Sequence, residues 1–463
     1  MTTSPLNRPR LRTRPLTFAA AALAVVASTY LVSALVRVPA PSGPGAPALA
    51  GRDAPALSVP GSASAAGSDV LLAAIDHEIG LWRQSLEQNQ GNFIAAGALG
   101  SLYLQRGRIT GDLGDYSRAL EAAERSIAAD PIYWQGHALR ASVLFALHDF
   151  AAALAEAQTT FEADPEQLDA LAVAGDASLE LGDVAAAEDA YARLSELAPS
   201  PPVWSRLAHL AFIRGDPEQG IDLVMRCLAA TLVAEEPAAA AFYQFQLGDL
   251  YRSSGALDGA SAAFEASLAA LDGYVPALSG LAHVREAQGR RDEAITLLEQ
   301  ATARQPLPEM VAALGDLYAL AGDTGAAERQ YALVERIGAV GQATGTVYDR
   351  QLIVFAADHG RGLEAAIQSA AAGLEVRHDV YGFDAYAWAL YRAGRVDEAA
   401  DAAAAALALG TPDPRILYHA GMIAAANRRI DEARMMLEQA VRGRAALPPL
   451  QAVEAVEALE ALP

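Results

Sequence analysis

"VAAAEDAYARLSELAP", residues 184–199, reads as one Ala-rich helix that stops at a proline. Two stretches upstream have the same form, "YSRALEAAERSIAADP" at 116–131 and "FAAALAEAQTTFEADP" at 150–165. Their closing prolines, Pro131, Pro165 and Pro199, stand 34 residues apart. Proline is not tolerated in a helix beyond the first turn. A fixed period of this length marks an array of helical units, each able to bury its outer apolar face only by stacking on the next.

Small and large residues keep fixed places within a unit. Gly175 with Ala187, Gly248 with Ala260, and Gly315 with Ala327 let two antiparallel helices approach closely where they cross. Tyr251, Phe264, Tyr318 and Tyr331 fill the space to each side. Between the two helices falls Gly182, Gly215, Gly255, Gly289, Gly322, Gly360 or Gly394, suited to a left-handed helix end. The pattern Leu247-Gly248…Tyr251 with Ala260…Phe264 recurs at Leu314-Gly315…Tyr318 with Ala327…Tyr331 and begins again at Leu99-Gly100…Tyr103. On these residues the chain resembles the tetratricopeptide repeat family over 92–446. The resemblance implies an all-α fold, an α-α superhelix (a solenoid) of about ten helical hairpins. "AWALYRAGRVDEAADAAAAALALG" at 387–410 is then the ninth unit, with Ala387 and Ala399 in the small positions.

Departures from the period are local. Gly100 to Ala119 is 19 residues where the pattern has 12, and seven extra residues are two helical turns, one for each helix. A few more are inserted near 231–239 and 338–346, and the unit over 346–379 keeps few signature residues. Leu72, Ile75, Ile79, Trp82 and Leu86 share one helical face, so 69–91 reads as an N-terminal capping helix. Leu450, Val453, Val456 and Leu459 make 447–463 a C-terminal one.

Residues 1–15 are basic, with Arg8, Arg10, Arg12 and Arg14, and Leu16–Val36 carries no charge over 21 residues. That is long enough to span a bilayer, and the arginines before it predict the N-terminus inside. The expectation is a single-pass anchor at 16–36 in a bacterial cytoplasmic membrane with the repeat body outside. The alternative is a cleaved signal peptide, leaving a secreted or periplasmic array. Residues 37–68, rich in Pro, Gly, Ala and Ser, are expected to form a disordered linker.

Composition closes off several chemistries. The chain has no lysine, which excludes a phosphate-binding P-loop, a kinase lysine and Schiff-base catalysis with pyridoxal phosphate. Net charge is −22, and residues 1–37 hold five arginines and no acid, leaving −27 on the remainder. Such a body repels phosphate backbones, which argues against nucleic-acid binding. Cys227 is alone in an apolar helix and reads as a packed thiol.

The eight histidines form no H-x-H or H-x-x-x-H pair, so no metal site is expected. "GAVGQATG" at 338–345 follows a helix and is no dinucleotide loop. "ADHGRG" at 357–362 falls at an inter-helix turn, where Asp358 reads as a cap and His359 as solvent-facing. Asp397-Glu398 and Asp431-Glu432 open second helices, where they suit the helix dipole. No catalytic residue, cofactor or small-molecule substrate is expected, and an enzyme with an unrecognised site is the last alternative.

What remains is a surface for a protein or peptide partner. In tetratricopeptide repeat proteins the first helix of each unit lines a concave groove. Carried onto this sequence, that groove would include Arg206, Phe245, Asp249, Arg252, His283, Asp316, Arg350, Asp384, Trp388, Arg392 and Tyr418. Aromatics and arginine favour interfaces, and they concentrate in the C-terminal half. Arg350, Trp388, Arg392 and Tyr418 are expected on one wall, as a cationic site for an acidic peptide; the alternative is a basic partner drawn to Asp249, Asp316 and Asp384. The expected function is that of a non-enzymatic scaffold or adaptor.

Overall fold

A computed structural model describes residues 66–463 except 235 and 344–349. Every element among the described residues is helical. Helix α1 (Ala66–Gln88) is followed by ten hairpins. They pair α2 (Phe93–Thr110) with α3 (Leu113–Ala129), α4 (Trp134–Ala146) with α5 (Phe150–Ala163), and α6 (Leu168–Leu181) with α7 (Val184–Leu197). Next come α8 (Pro201–Ile213) with α9 (Pro217–Ala234), α10 (Pro237–Ser254) with α11 (Leu257–Ala270), and α12 (Val275–Ala287) with α13 (Arg291–Arg304). The last four are α14 (Pro308–Leu320) with α15 (Thr324–Ala343), α16 (Arg350–Asp358) with α17 (Leu363–Leu374), α18 (Val380–Arg392) with α19 (Val396–Ala406), and α20 (Pro414–Ala426) with α21 (Ile430–Arg442). A short 3-10 turn at Arg444–Ala446 leads into α22 (Pro449–Ala461).

Segments 1–15, 16–36 and nearly all of 37–68 lie outside the described residues. No helix among the described residues is long and apolar enough to cross a membrane. Helix α1 begins at Ala66, three residues ahead of the cap read from the sequence. The seven extra residues of the first unit are shared between α2 and α3, which run 18 and 17 residues where α4 and α6 run 13 and 14.

Each hairpin is set by local chemistry. Gly182 closes α6 at φ +90°, and Asp183 accepts a hydrogen bond from the Ala186 amide at 3.0 Å to open α7. Pro201, Pro237, Pro308 and Pro414 occupy first-turn positions, where a missing N–H costs nothing. The crossing is a notch filled by a ring. A methyl on Gly248 would lie 2.7 Å from the Phe264 ring, and one on Gly280 of the next hairpin 2.5 Å from the same ring. Phe264 is fully buried between two glycine surfaces. Tyr191 fills the Gly175 notch and Tyr331 the Gly315 notch in the same way.

Curvature follows from which helices touch. First helices contact the first helices of the next hairpin (α4 with α6, α10 with α12, α18 with α20), whereas second helices make no comparable contact. The array therefore bends with the first helices inside. It bends far enough to meet itself. The His378 amide donates to Leu181 O at 3.0 Å, and the Thr411 hydroxyl donates to Ile213 O at 2.6 Å, across 198 residues. Arg252 Nη1 donates to Ala445 O and Arg444 Nη2 to Ala287 O, both at 3.2 Å. The turns of hairpins 3, 4 and 5 thus carry the loops that enter hairpin 9, hairpin 10 and α22.

The turn glycines record this seam. A methyl on Gly182 would stand 2.5 Å from His378 O, one on Gly215 2.9 Å from Gly410 O, and one on Gly255 2.3 Å from Arg442 O. At Gly289, Gly322, Gly360 and Gly394 the same methyl would meet open space.

Candidate functional site

The inner wall begins with paired charges. Arg206 on α8 reaches across to Asp176 on α6, with Nε to Oδ1 at 2.8 Å and Nη2 to Oδ2 at 2.9 Å. The Tyr191 hydroxyl donates to the same carboxylate at 2.8 Å. Burial disfavours the guanidinium charge, and Asp176 more than offsets it. On α10, buried Asp249 accepts from Arg252 Nε at 3.0 Å, and Arg252 extends into the seam. Phe245 is half-buried against the Phe264 and Tyr274 rings, each 6.1 Å away. His283 on α12 is bonded at Nδ1 to Ser279 O, and burial lowers its pKa to about 4, so it is neutral at pH 7.

Asp316 on α14 is buried and accepts from the Tyr331 hydroxyl and from His359 Nε2, both at 2.9 Å. His359 Nδ1 faces Phe355 O at 3.0 Å. Both ring nitrogens therefore face acceptors, an arrangement that favours the imidazolium. Burial opposes that charge, and Asp316 raises the pKa in spite of it. The inter-helix turn falls where "ADHGRG" placed it, between α16 and α17, but the readings of His359 as solvent-facing and Asp358 as a cap are corrected. His359 is a part-buried strut between α14 and the end of α16, and the Asp358 side chain bonds to other helices instead of capping its own.

Asp358 belongs to the C-terminal part of the wall. Its Oδ1 accepts from Trp388 Nε1 and from Gln451 Nε2, each at 2.6 Å. The Trp388 ring stacks on His419 at 4.1 Å and 11°. His419 Nδ1 donates to Asp384 Oδ1 at 2.8 Å, and its Nε2 accepts from the Gln451 amide at 3.0 Å. Tyr418 donates to Glu454 Oε2 at 2.8 Å, and the Arg392 guanidinium lies 5.3 Å from the Trp388 ring centre. Asp384, Trp388, Arg392 and Tyr418 are thus brought together. All but Arg392 are buried.

Arg350 is not among them. It pairs with Asp379 at 2.5 Å and with Glu180 at 3.4 Å, and Arg377 joins the same Glu180 at 2.5 Å. Glu180 stands on hairpin 3 and Arg377 just ahead of hairpin 9, so Arg350 is neutralised in the seam. The expected four-residue cationic wall is corrected to a three-residue cluster without Arg350, because seam closure supplies that arginine with two acids.

Cys227, on second helix α9, has none of the marks of an activated nucleophile. Burial pushes the Cys227 thiol up to about 12, and its Sγ lies 3.2 Å from Pro201 O. Among the described residues no group of His, Cys, Asp and Glu is placed to hold a metal ion. Sequence reasoning missed Glu180, Arg377, Asp379 and Gln451. Their roles depend on contacts between distant units, and only the "ADHGRG" run carried a local signal.

The chain matches the tetratricopeptide repeat family over residues 107–157, 138–202, 251–317 and 385–448. Among solved structures it is similar to PilW, a widely conserved type IV pilus biogenesis factor (18% identity, 48% of this chain, 97% of that chain, TM-score 0.38). It is also similar to a tetratricopeptide repeat protein from Parabacteroides merdae (14% identity, 52% and 93% covered, TM-score 0.38). A third is human IFIT1 (16% identity, 81% and 86% covered, TM-score 0.45). A comparison with curated proteins gave no match.

Proposed function

Because the chain belongs to the tetratricopeptide repeat family, we propose that it is a non-enzymatic scaffold that holds a partner protein or peptide on its inner wall. The observation that carries this reading is the wall itself. Arg206, Phe245, Asp249, Arg252, His283 and Asp316 all stand on first helices, on the inner side of the bend; Phe245, Arg252 and His283 are partly exposed, and Arg206, Asp249 and Asp316 are buried beneath them. Polar and aromatic side chains held by bonds on a rigid frame are pre-organised for recognition. A photo-crosslinking residue at Phe245 or His283 should capture the same partner in intact cells, whereas one at Asp189 or Asp222, on second helices, should not. Equal capture from both faces would sink the proposal.

The site of action in this reading is the outer side of a bacterial cytoplasmic membrane, with residues 16–36 as anchor. What supports it is the basic segment before a charge-free span. The alternative is release after cleavage near residue 35. N-terminal sequencing of the mature protein separates the two, and protease added outside spheroplasts should digest the array in either case.

A further inference from the structure

Helix α22 does more than cap the end of the array. It stacks on α21, as a first helix of an eleventh unit would. It also contacts α14, which lies four first-helix positions back along the chain. No earlier first helix among the described residues makes a comparable reach across the bore. Its side chains make further contacts across hairpins 8 and 10. Gln451 bridges Asp358 at the end of α16 and His419 on α20, and Glu454 accepts from Tyr418. Ala455, fully buried, sits one turn beyond Gln451. Ala452, Ala458 and Leu459 are only partly buried against the same cluster, and Val453 is 39% exposed.

Small residues and two polar anchors hold this helix, and no large side chain is locked into a notch as Phe264 is. Only Pro449, Gln451 and Ala455 of its 13 residues are buried. Little apolar surface is removed from water, so detachment costs far less than pulling out a regular hairpin. Detachment would also expose Asp358, Tyr418 and His419 together.

We propose that α22 is a self-ligand: it occupies the inner wall of hairpins 7–10 and yields that place to a helix of the same chemistry on the partner. Such a helix presents small side chains on its contact face, an amide for Asp358 and His419, and an acid for Tyr418 beside Arg392. The inference rests on the scaffold reading for the existence of an external partner, but its test does not need one. The probe is a labelled synthetic peptide with the sequence of residues 447–463, LPPLQAVEAVEALEALP. Two full-length variants eject α22 by different means. Ala455→Arg places a long cation where no space exists, and Gln451→Glu sets a carboxylate against Asp358 with little change in shape.

In both variants the α22 amides should exchange with deuterium at least tenfold faster than in the parent, while α18 and α20 stay protected. Both should bind the peptide with a Kd at least tenfold below that of the parent, whose site is filled. Adding Tyr418→Phe should raise the Kd about tenfold, as loss of one hydrogen bond to a charged group does. The proposal is overturned if α22 exchanges rapidly and the peptide still fails to bind. Should Ala455→Arg unfold the C-terminal hairpins, Gln451→Glu becomes the deciding variant, and unchanged exchange with unchanged affinity there would overturn the proposal equally. Peptide binding without any captured cellular partner would instead count against the scaffold reading alone.

Discussion

Replacing Gly182 by alanine should cost more than the same change at Gly394, though both residues end a first helix at nearly the same φ, +90° and +81°. A left-handed conformation costs a non-glycine residue about 1–2 kcal/mol, and that penalty is common to the two sites. At Gly394 the new methyl meets open space, so the cost ends there. At Gly182 it would lie 2.5 Å from both the carbonyl carbon and oxygen of His378, roughly 1 Å inside ordinary contact. Backbone cannot rotate away as a side chain does, so the entry to hairpin 9 must shift. The shift strains the His378 amide bond to Leu181 O at 3.0 Å, the Arg377 Nε bond to Glu180 O at 3.2 Å, and the Arg377–Glu180 ion pair. At about 0.5–1.5 kcal/mol for a neutral bond and 1.5–3 for a charged one, losing part of this set adds about 2–4 kcal/mol. Denaturant midpoints give the difference between the variants, and hydrogen exchange locates it. Protection should fall over 377–382 in Gly182→Ala and not in Gly394→Ala. Equal losses in the two would refute the seam as a source of stability.

Gly248→Leu should lower the melting temperature by the equivalent of about 1–3 kcal/mol, since Phe264 is hemmed in by Gly280 on its far side. Gly80→Ala in α1, where a methyl meets nothing within 4 Å, should raise stability by up to about 1 kcal/mol through helix propensity. His359 has a folded pKa above its unfolded value, so its contribution is full below about pH 6.5 and is lost as pH rises through the folded value. Unfolding followed from pH 6 to 9 should show that loss, and Asp316→Asn should remove it; Asp358, Tyr331 and Arg361, which also face this ring system, are unchanged in that variant. His148, His209 and His283, depressed by burial to about 3, 4 and 4, act oppositely. Their unfolded forms bind protons first, so stability should fall as pH drops from about 6.5 to 4, a slope to be read from the same titration.

The hairpins were legible in the sequence because each is a local device. Gly175 facing Tyr191 and Gly248 facing Phe264 lie within a single 34-residue unit, and their spacing alone places them at a crossing. Closure of the coil left no such mark. Gly182 and Gly255 press against another layer and Gly289 and Gly394 do not, yet all four occupy the same position in their units. The difference arises from small rotations summed over six hairpins, which no single unit encodes. For the same reason Arg350 reads as an open cationic residue in the sequence, since its acids come from Glu180 and Asp379 on other units. Gln451 reads as an ordinary capping residue because Asp358, its partner, lies 93 residues away.

The array winds until hairpin 9 rests on hairpin 3. The most direct test of that closure is a distance between two spin labels, at Asp183 in the turn of hairpin 3 and at the exposed Val376 ahead of hairpin 9, with Cys227 replaced by alanine. A closed coil gives one short separation with a narrow distribution, and Gly182→Ala broadens it. A long or broad distribution in the parent protein would contradict the closed coil, and with it the pairing of Arg350 and Arg377 with Glu180.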